Sequence, residues 1–461
     1  MSRGSTAKLC VLSFIILVAG CRESSNNSTI SSTQTASTCQ NRIEELRASQ
    51  IAQQCNVAII KSIPAGSGEV FLLLETLSDL KRFPGRRHLH RLDNNWNTVM
   101  EYKVSDDESL LDFELHPSGE ISLMIVSTTG YTLRRINAEG NLLTEAVIPD
   151  TSPPSFSLNV VDIEVSGETI LAAARNTDFS VHLHKFSYTA STGYLQNWTV
   201  LIEPAIPFLP WLMTGGSYDT FEQLVQPYQV FLALDQQNNA YVVVPGLSQL
   251  FYHHNQHFNE NIEYIGQGDE LAAPWPQMDP IITKVTTSGE RTYTSVVGTD
   301  LPDEVYGAKV INDFLYIFGR TTRELGTHWD AFIATMKIDS GASNYTHNID
   351  IDDGDIIYDV ALLPNGNIFA VGATAWAQNP YGFSVSENST KLAALIDSYG
   401  KLIHTVTLSD GDRHNQLRSV SLVTENRLLL GGFENGPGTH SGDADHSLVK
   451  ADSYLQAYAV P

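Results

Sequence analysis

The chain has 461 residues, 42% of them apolar, with 32 Gly, 19 Pro and a formal net charge of −24. This composition excludes a disordered or collagen-like chain and favours an all-β globular one, because no long helical periodicity accompanies the turn formers. A surface so acidic repels phosphates and anionic headgroups, which excludes a nucleic-acid partner; it suits cations, basic partners or plain solubility.

Arg3 and Lys8 precede an apolar run of ten residues, Leu9 to Val18, too short for a permanent membrane span and right for an export signal. The run ends in Val18-Ala19-Gly20-Cys21, which resembles the lipobox of bacterial lipoproteins. The resemblance implies removal of residues 1–20, acylation of Cys21 and attachment to the cell-envelope membrane through its acyl chains. Arg22 stands where aspartate would signal inner-membrane retention, so the same family rule points to the outer membrane. Residues 21–38 then form a Ser/Thr/Asn tether that cannot bury enough apolar surface to fold. It would span roughly 20–25 Å as a flexible coil.

Segment 39–56 reads as a short helix between Cys39 and Cys55. With Cys10 lost in the signal and Cys21 acylated, an exported chain pairs the two that remain. Closing so short a loop contributes roughly 3 kcal/mol in the chain-entropy model. Two free thiols are the other reading.

From 57 to 461 one pattern of four short strands recurs. It is plainest after 303. Val310 to Gly319 overlays Val423 to Gly432, and the register continues through Asp330-Ala331, Lys337 and Asp339 onto Asp443-Ala444, Lys450 and Asp452. A third copy runs through Leu363 to Gly372 and Asp397 to Leu402. Second strands are expected to centre on Val70, Ile121, Ile170, Ala240, Leu315, Ile368 and Leu428. Third strands are expected to end at Asp93, Asn137, Ser187, Thr286, Asp339, Asp397 and Asp452, several of them opening a polar or Gly turn. Seven units of about fifty residues bury both faces only when arranged radially. The expected fold is a seven-bladed β-propeller of four-stranded antiparallel blades. Asp330-Ala331-Phe332 and the strands ending in Gly319, Gly372 and Gly432 resemble the bacterial SBBP-type propeller repeat. That resemblance bears on fold alone.

Strands alternate in direction, so loops joining second to third strands share a face with the connections between blades. Nearly all extra sequence falls there, in 205–225, 246–278, 320–330, 373–390 and 433–443, and binding groups concentrate in such loops. Phe208, Trp211, Tyr252, Phe258, Trp275 and Trp329 are the candidate partner-binding aromatics; self-packing over the blades is the competing reading. The blade connections are acidic, with Asp106-Asp107-Glu108, Asp303-Glu304, and Asp350 followed by Asp352, Asp353 and Asp355. Asp350, Asp352 and Asp355 are candidate Ca²⁺ ligands, although Asp353 occupies the glycine position of an EF-hand, and solvated turn carboxylates are the plainer reading. His440 and Asp443 form a second candidate metal pair.

No nucleophile elbow and no phosphate-binding glycine loop occurs, and no motif calls for an organic cofactor. The function expected is a lipid-anchored binding or scaffolding module for a protein or glycan rather than an enzyme. Two alternatives stand beside it. One is a lactonase-like metal hydrolase at the central channel; the other, by fold analogy, is an accessory role in outer-membrane protein assembly.

Overall fold

The structure is a computed structural model; it describes residues 57–459 apart from 67, 77–86, 150, 152–160, 179, 204–229, 248–277, 300–302, 325–327, 352–353, 375–388, 399–400, 409–413 and 437–451. The described residues form consecutive antiparallel sheets. Blade 1 holds β1–β4 (Val57–Pro64, Val70–Thr76, Arg87–Leu92, Thr98–Tyr102) and blade 2 holds β5–β8 (Glu108–Leu115, Ile121–Ser127, Gly130–Ile136, Leu142–Val147). Blade 3 holds β9–β12 (Val161–Ser166, Thr169–Arg175, Val181–Thr189, Gly193–Glu203) and blade 4 β13–β16 (Phe231–Leu234, Ala240–Leu247, Met278–Val285, Arg291–Val296). Blade 5 holds β17–β20 (Asp303–Ile311, Phe314–Glu324, His328–Lys337, Ser343–Ile349) and blade 6 β21–β24 (Ile356–Leu362, Ile368–Thr374, Thr390–Ile396, Leu402–Leu408). Blade 7 shows three strands, β25–β27 (His414–Thr424, Arg427–Gly436, Asp452–Ala459).

Among the described residues, a main apolar cluster fills each of the seven seams between neighbouring blades. Phe71 and Leu73 of blade 1 pack on Phe113 and Leu123 of blade 2. Equivalent clusters join blades 2 and 3, 3 and 4, 4 and 5, 5 and 6, and 6 and 7. The seventh joins Leu429 of blade 7 to Ile59, Val70 and Leu72 of blade 1 and closes the circle. Across the same seam the Ser62 and Ser421 hydroxyls lie 2.6 Å apart, although 359 positions separate them. Both faces of each second strand are therefore covered. This is why β6 and β10 read as nearly continuous apolar runs rather than as alternating ones. The outermost strands β8 and β24 are mostly exposed.

All seven expected second strands are present, but the positions read as their centres stand at their starts, each strand beginning at that residue or one before it. Four of the turns that follow the third strands also open as read, at Asp93, Asn137, Thr286 and Asp397, whereas β11 runs two residues past Ser187 and β19 ends two residues before Asp339. The Asp93 carboxylate accepts the amides of Asn95 and Asn97, and the Asn137 side chain accepts those of Glu139 and Asn141. Gly140 completes the latter turn at φ +84°, a conformation that suits a residue without Cβ. The glycines of the repeat have a different cause. β21 carries one extra residue opposite the ladder, and a Cβ on Gly372 would lie 1.8 Å from the Ile356 carbonyl oxygen. Gly319 and Gly432 meet Glu304 and Gln416 in the same way.

Blade 7 departs from the repeat. The strand beside β26 is Asp452–Ala459, with Asp452 opposite Glu434, so Asp452 opens the third strand instead of ending it. In blade 5 the third-strand segment Asp330 to Lys337 buries Ala331, Phe332, Ile333, Ala334 and Met336. The matching stretch 443–450 offers only Ala444, Leu448 and Val449 as apolar residues. In β27, Tyr454 and Tyr458 pack toward blade 6 and Leu455 toward blade 1, as a strand covered on both faces requires. The signal, the tether and the Cys21, Cys39 and Cys55 readings lie outside the described residues, as does the expected helix between the last two.

Candidate functional site

The two faces of the ring differ sharply. On one, every connection within a blade is a turn of two to five residues. On the other, the links reach 27 residues between β12 and β13 and 30 between β14 and β15, the asymmetry expected from strand direction. The long-loop aromatics Phe208, Trp211, Tyr252, Phe258 and Trp275 lie outside the described residues. Trp329 lies on β19, opposite Thr322, at the long-loop end of blade 5.

Among the described acids of the blade connections, Asp303 and Asp355 close the loops in which they stand. Asp303 accepts the Thr299 amide at 2.6 Å and its hydroxyl at 2.8 Å; burial nevertheless pushes its carboxyl up to about 7. Asp355, fully buried at the head of β21, accepts the Ile351 amide at 2.6 Å, while Asp350 is exposed. Glu108 accepts the Ser105 hydroxyl and pairs with Arg134 at 2.7 Å. Through its bond to the Ile351 amide Asp355 closes its own loop. Asp352, His440 and Asp443 lie outside the described residues. Among the described residues no group of three or more His, Cys, Asp or Glu side chains converges as metal ligands would.

The inner strands bring together charges that the long loops do not account for. In β1, β5, β17, β21 and β25 the ladder slips by one residue at the same level. Such a bulge re-aims the residues that follow it. Just past this level one ring of positions holds Lys61, Asp112, Asp162, Phe231, Gly307, Asp359 and Ser419. Two residues further along stand Ile63, Glu114, Glu164, Ala233, Lys309, Ala361 and Ser421. No histidine occupies either ring.

These charges organise one another. Lys61 Nζ donates to Asp112 at 2.8 Å and to Glu114 at 2.6 Å. Burial opposes its charge, yet Asp112, Glu114 and Asp162 outweigh that and hold its pKa well above the usual lysine value. Burial likewise opposes ionisation of Asp112, but Lys61 and a hydrogen bond from Asp162 keep it below the carboxylate norm. Asp162 and Glu164 are pushed well up by burial, reinforced by the neighbouring carboxylates. The pattern is a carboxyl–carboxylate pair braced by one ammonium. Lys309 stands in the opposite arc; its charge reaches Glu114 and Glu164, and its amine donates to the Val360 carbonyl at 2.8 Å and pairs with Asp359. Three of the aspartates also clasp the next blade by accepting a main-chain amide. Asp112 takes Ile163, Asp162 takes Leu232 and Asp359 takes Val420. The sequence carried a signal for this arrangement, an acid–apolar–acid triplet in β5 (Asp112-Phe113-Glu114) and again in β9 (Asp162-Ile163-Glu164).

Nearer the long-loop face, the extra bulge residues Tyr306, Tyr358 and Arg418 form an aromatic belt. Tyr306 meets Tyr358 edge-on with centroids 5.1 Å apart, and the Arg418 guanidinium lies 3.8 Å from the Tyr358 centroid. In blade 5 the belt is electrostatically closed, since buried Arg320 pairs with buried Glu304 and Glu304 accepts the Tyr306 hydroxyl at 2.8 Å.

No family model and no curated protein sequence matches the chain. Solved structures resemble it at low similarity. A Bacteroides caccae protein of unknown function is 11% identical, with a TM-score of 0.37 over 70% of this chain and 90% of that one. Drosophila Plexin A, solved in complex with Semaphorin 1b, is 10% identical, with a TM-score of 0.43 over 87% and 88% of the two chains. A prolyl endopeptidase is 10% identical, with a TM-score of 0.44 over 92% of this chain and 50% of that one. At these values the likenesses carry no argument; the β-propeller is established by the chain's own strand order.

Proposed function

We propose that the chain is an exported, lipid-anchored β-propeller of a bacterial cell envelope that holds a protein or glycan ligand on its long-loop face. The observation that carries this reading is the asymmetry of the ring, with turns of two to five residues on one face and links of up to 30 on the other. A rigid scaffold that places its variable length on one side is built as a presentation surface. The channel charges support binding over catalysis, because Lys61, Asp112, Glu114, Asp162 and Asp359 are engaged with each other or with main-chain amides. The lipobox-like Val18 to Cys21 and the polar tether support an anchored position.

The test installs a photo-crosslinker at Trp329, on the same face but outside the long links, in the full chain in intact cells, and compares it with the same chain in which 208–225 and 250–274 are replaced by short Gly-Ser links. Specific crosslinks to one envelope protein or to glycan, lost on loop replacement while the unfolding midpoint stays within a few degrees, are expected. Unchanged crosslinks in the loop-replaced chain overturn the reading. Cys21→Ser is expected to release the chain from the membrane fraction.

A further inference from the structure

The bulge belt repeats one three-residue arrangement with different chemistry in successive blades. The three positions are the residue two before the bulge residue, the bulge residue itself, and the second-strand residue paired with the first of these. In blade 5 they are Glu304, Tyr306 and Arg320, a buried ion pair capped by a tyrosine. In blade 6 they are Ile356, Tyr358 and Ala373, without charge. In blade 7 they are Gln416, Arg418 and Phe433. Blade 7 thus carries a cation where blade 5 has a tyrosine, and an uncharged amide where blade 5 has the neutralising acid.

Two observations show that this cation is unspent. Arg418 is partly exposed and is held by rings, 3.8 Å from the Tyr358 centroid and 6.0 Å from that of Phe433, and no carboxylate among the described residues pairs with it. Beside it, Gln416 is fully buried, and neither its amide oxygen nor its amide nitrogen has a hydrogen-bond partner. Buried polar atoms are normally satisfied, so an orphan amide next to a bare guanidinium marks a place where a ligand completes the bonding. The guanidinium fork presents paired donors that match a carboxylate or phosphate. The adjoining walls, Tyr358 with Tyr306 on one side and Phe433 with Ala58 and Ile60 on the other, are aromatic and aliphatic. The acid-rich rings deeper in the channel repel an anion from going further, which leaves the mouth as its resting place.

We propose that the long-loop mouth of the channel binds a small organic anion, its carboxylate or phosphate on Arg418 and its apolar body against Tyr358 and Phe433. The site stands on the blade 6–7 wall and does not depend on the long loops holding a partner. Its failure and that of the presentation-surface reading therefore separate.

The test titrates the full chain with benzoate, phenyl phosphate, inorganic phosphate and the neutral isostere benzamide, by calorimetry and by side-chain nitrogen NMR of the arginines. Saturable binding of benzoate or phenyl phosphate is expected, with benzamide and inorganic phosphate at least tenfold weaker and the Arg418 Nε resonance shifted. The stronger of the two aryl anions identifies the headgroup. Arg418→Gln is expected to lose at least tenfold in affinity at an unchanged unfolding midpoint, and Arg418→Lys to recover part of it. If Arg418→Gln fails to fold, the wild-type NMR shift carries the decision. Equal binding by Arg418→Gln, a bound anion that leaves the Arg418 resonance unmoved, or no saturable binding of either aryl anion overturns the proposal.

Discussion

At the scale of single residues, the interior charges of this ring are arranged for mutual neutralisation, and that has a consequence for pH. Burial raises the carboxyls of Asp162 and Glu164, and it raises Asp303 to about 7. Between about pH 4, where the unfolded chain releases these protons, and the higher folded values, the folded state binds more protons than the unfolded one. Each such group therefore contributes stability that is present at low pH and lost as the pH rises through its folded pKa. Glu164→Gln and Asp303→Asn remove that loss. The unfolding midpoint of each variant relative to wild type is expected to climb between pH 5 and pH 8; a difference that stays flat across that range would show these carboxyls ionise normally. A second residue-scale prediction concerns Arg320 and Glu304, whose side chains are only 3% and 4% exposed. Arg320→Met leaves a buried carboxylate with the Tyr306 hydroxyl as its remaining partner. The expected cost is about 3 kcal/mol in denaturant unfolding, because an unpaired buried charge costs more than the pair contributes. A cost below about 1 kcal/mol would show that solvent reaches the site.

At the scale of elements, the bulged inner strand explains the most visible letter of the repeat. Gly319, Gly372 and Gly432 lie where the displaced carbonyl of the first strand presses on the second, leaving less than 2.1 Å for a Cβ. Gly372→Ala is expected to destabilise by about 3 kcal/mol, since main chain rather than a flexible side chain must move. Unfolding of the variant in urea checks this, and a change under about 1 kcal/mol would mean that the bulge relaxes freely. The same bulges aim Lys61, Asp112 and Asp359 toward the axis and set Tyr306, Tyr358 and Arg418 in the belt above. Asp112-Phe113-Glu114 and Asp162-Ile163-Glu164 stand in plain view in the chain, but their engagement with Lys61 does not. Lys61 and Asp112 lie 51 positions apart and meet only because neighbouring inner strands lie side by side. The acidic blade connections were visible too. Their role in closing loops was not, since it depends on the bend that returns the Asp303 and Asp355 carboxylates to amides four residues earlier.

At the scale of the whole molecule, stability is a property of closure. Each blade buries its faces only against its neighbours, and the seam between blades 7 and 1 completes the circle through Ile59, Leu72 and Leu429 and the Ser62–Ser421 bond. Deleting 412–461 exposes the cores of two interfaces at once, those of blades 6 and 7 and of blades 7 and 1. The remainder is expected to lose its cooperative thermal transition and to bind hydrophobic dye; a sharp, native-like transition would show that the blades stand alone.

Local chemistry was enough to determine the strands, the turns and the division into seven units. Turn residues such as Asp93, Asn137 and Asp397, and the paired apolar faces of the second strands, act through neighbours close in the chain. Strand alternation then determined which face carries the long links. Only the tertiary structure decided which segment completes blade 7, because a strand covered on both sides is chosen by what the two neighbouring blades offer, and Tyr454, Leu455 and Tyr458 meet that demand where 443–450 does not. It alone decided that the interior charges converge on the axis and that no acid among the described residues pairs with Arg418. Those relations hold between residues on different blades, and closing the ring is what brings them within a few ångströms.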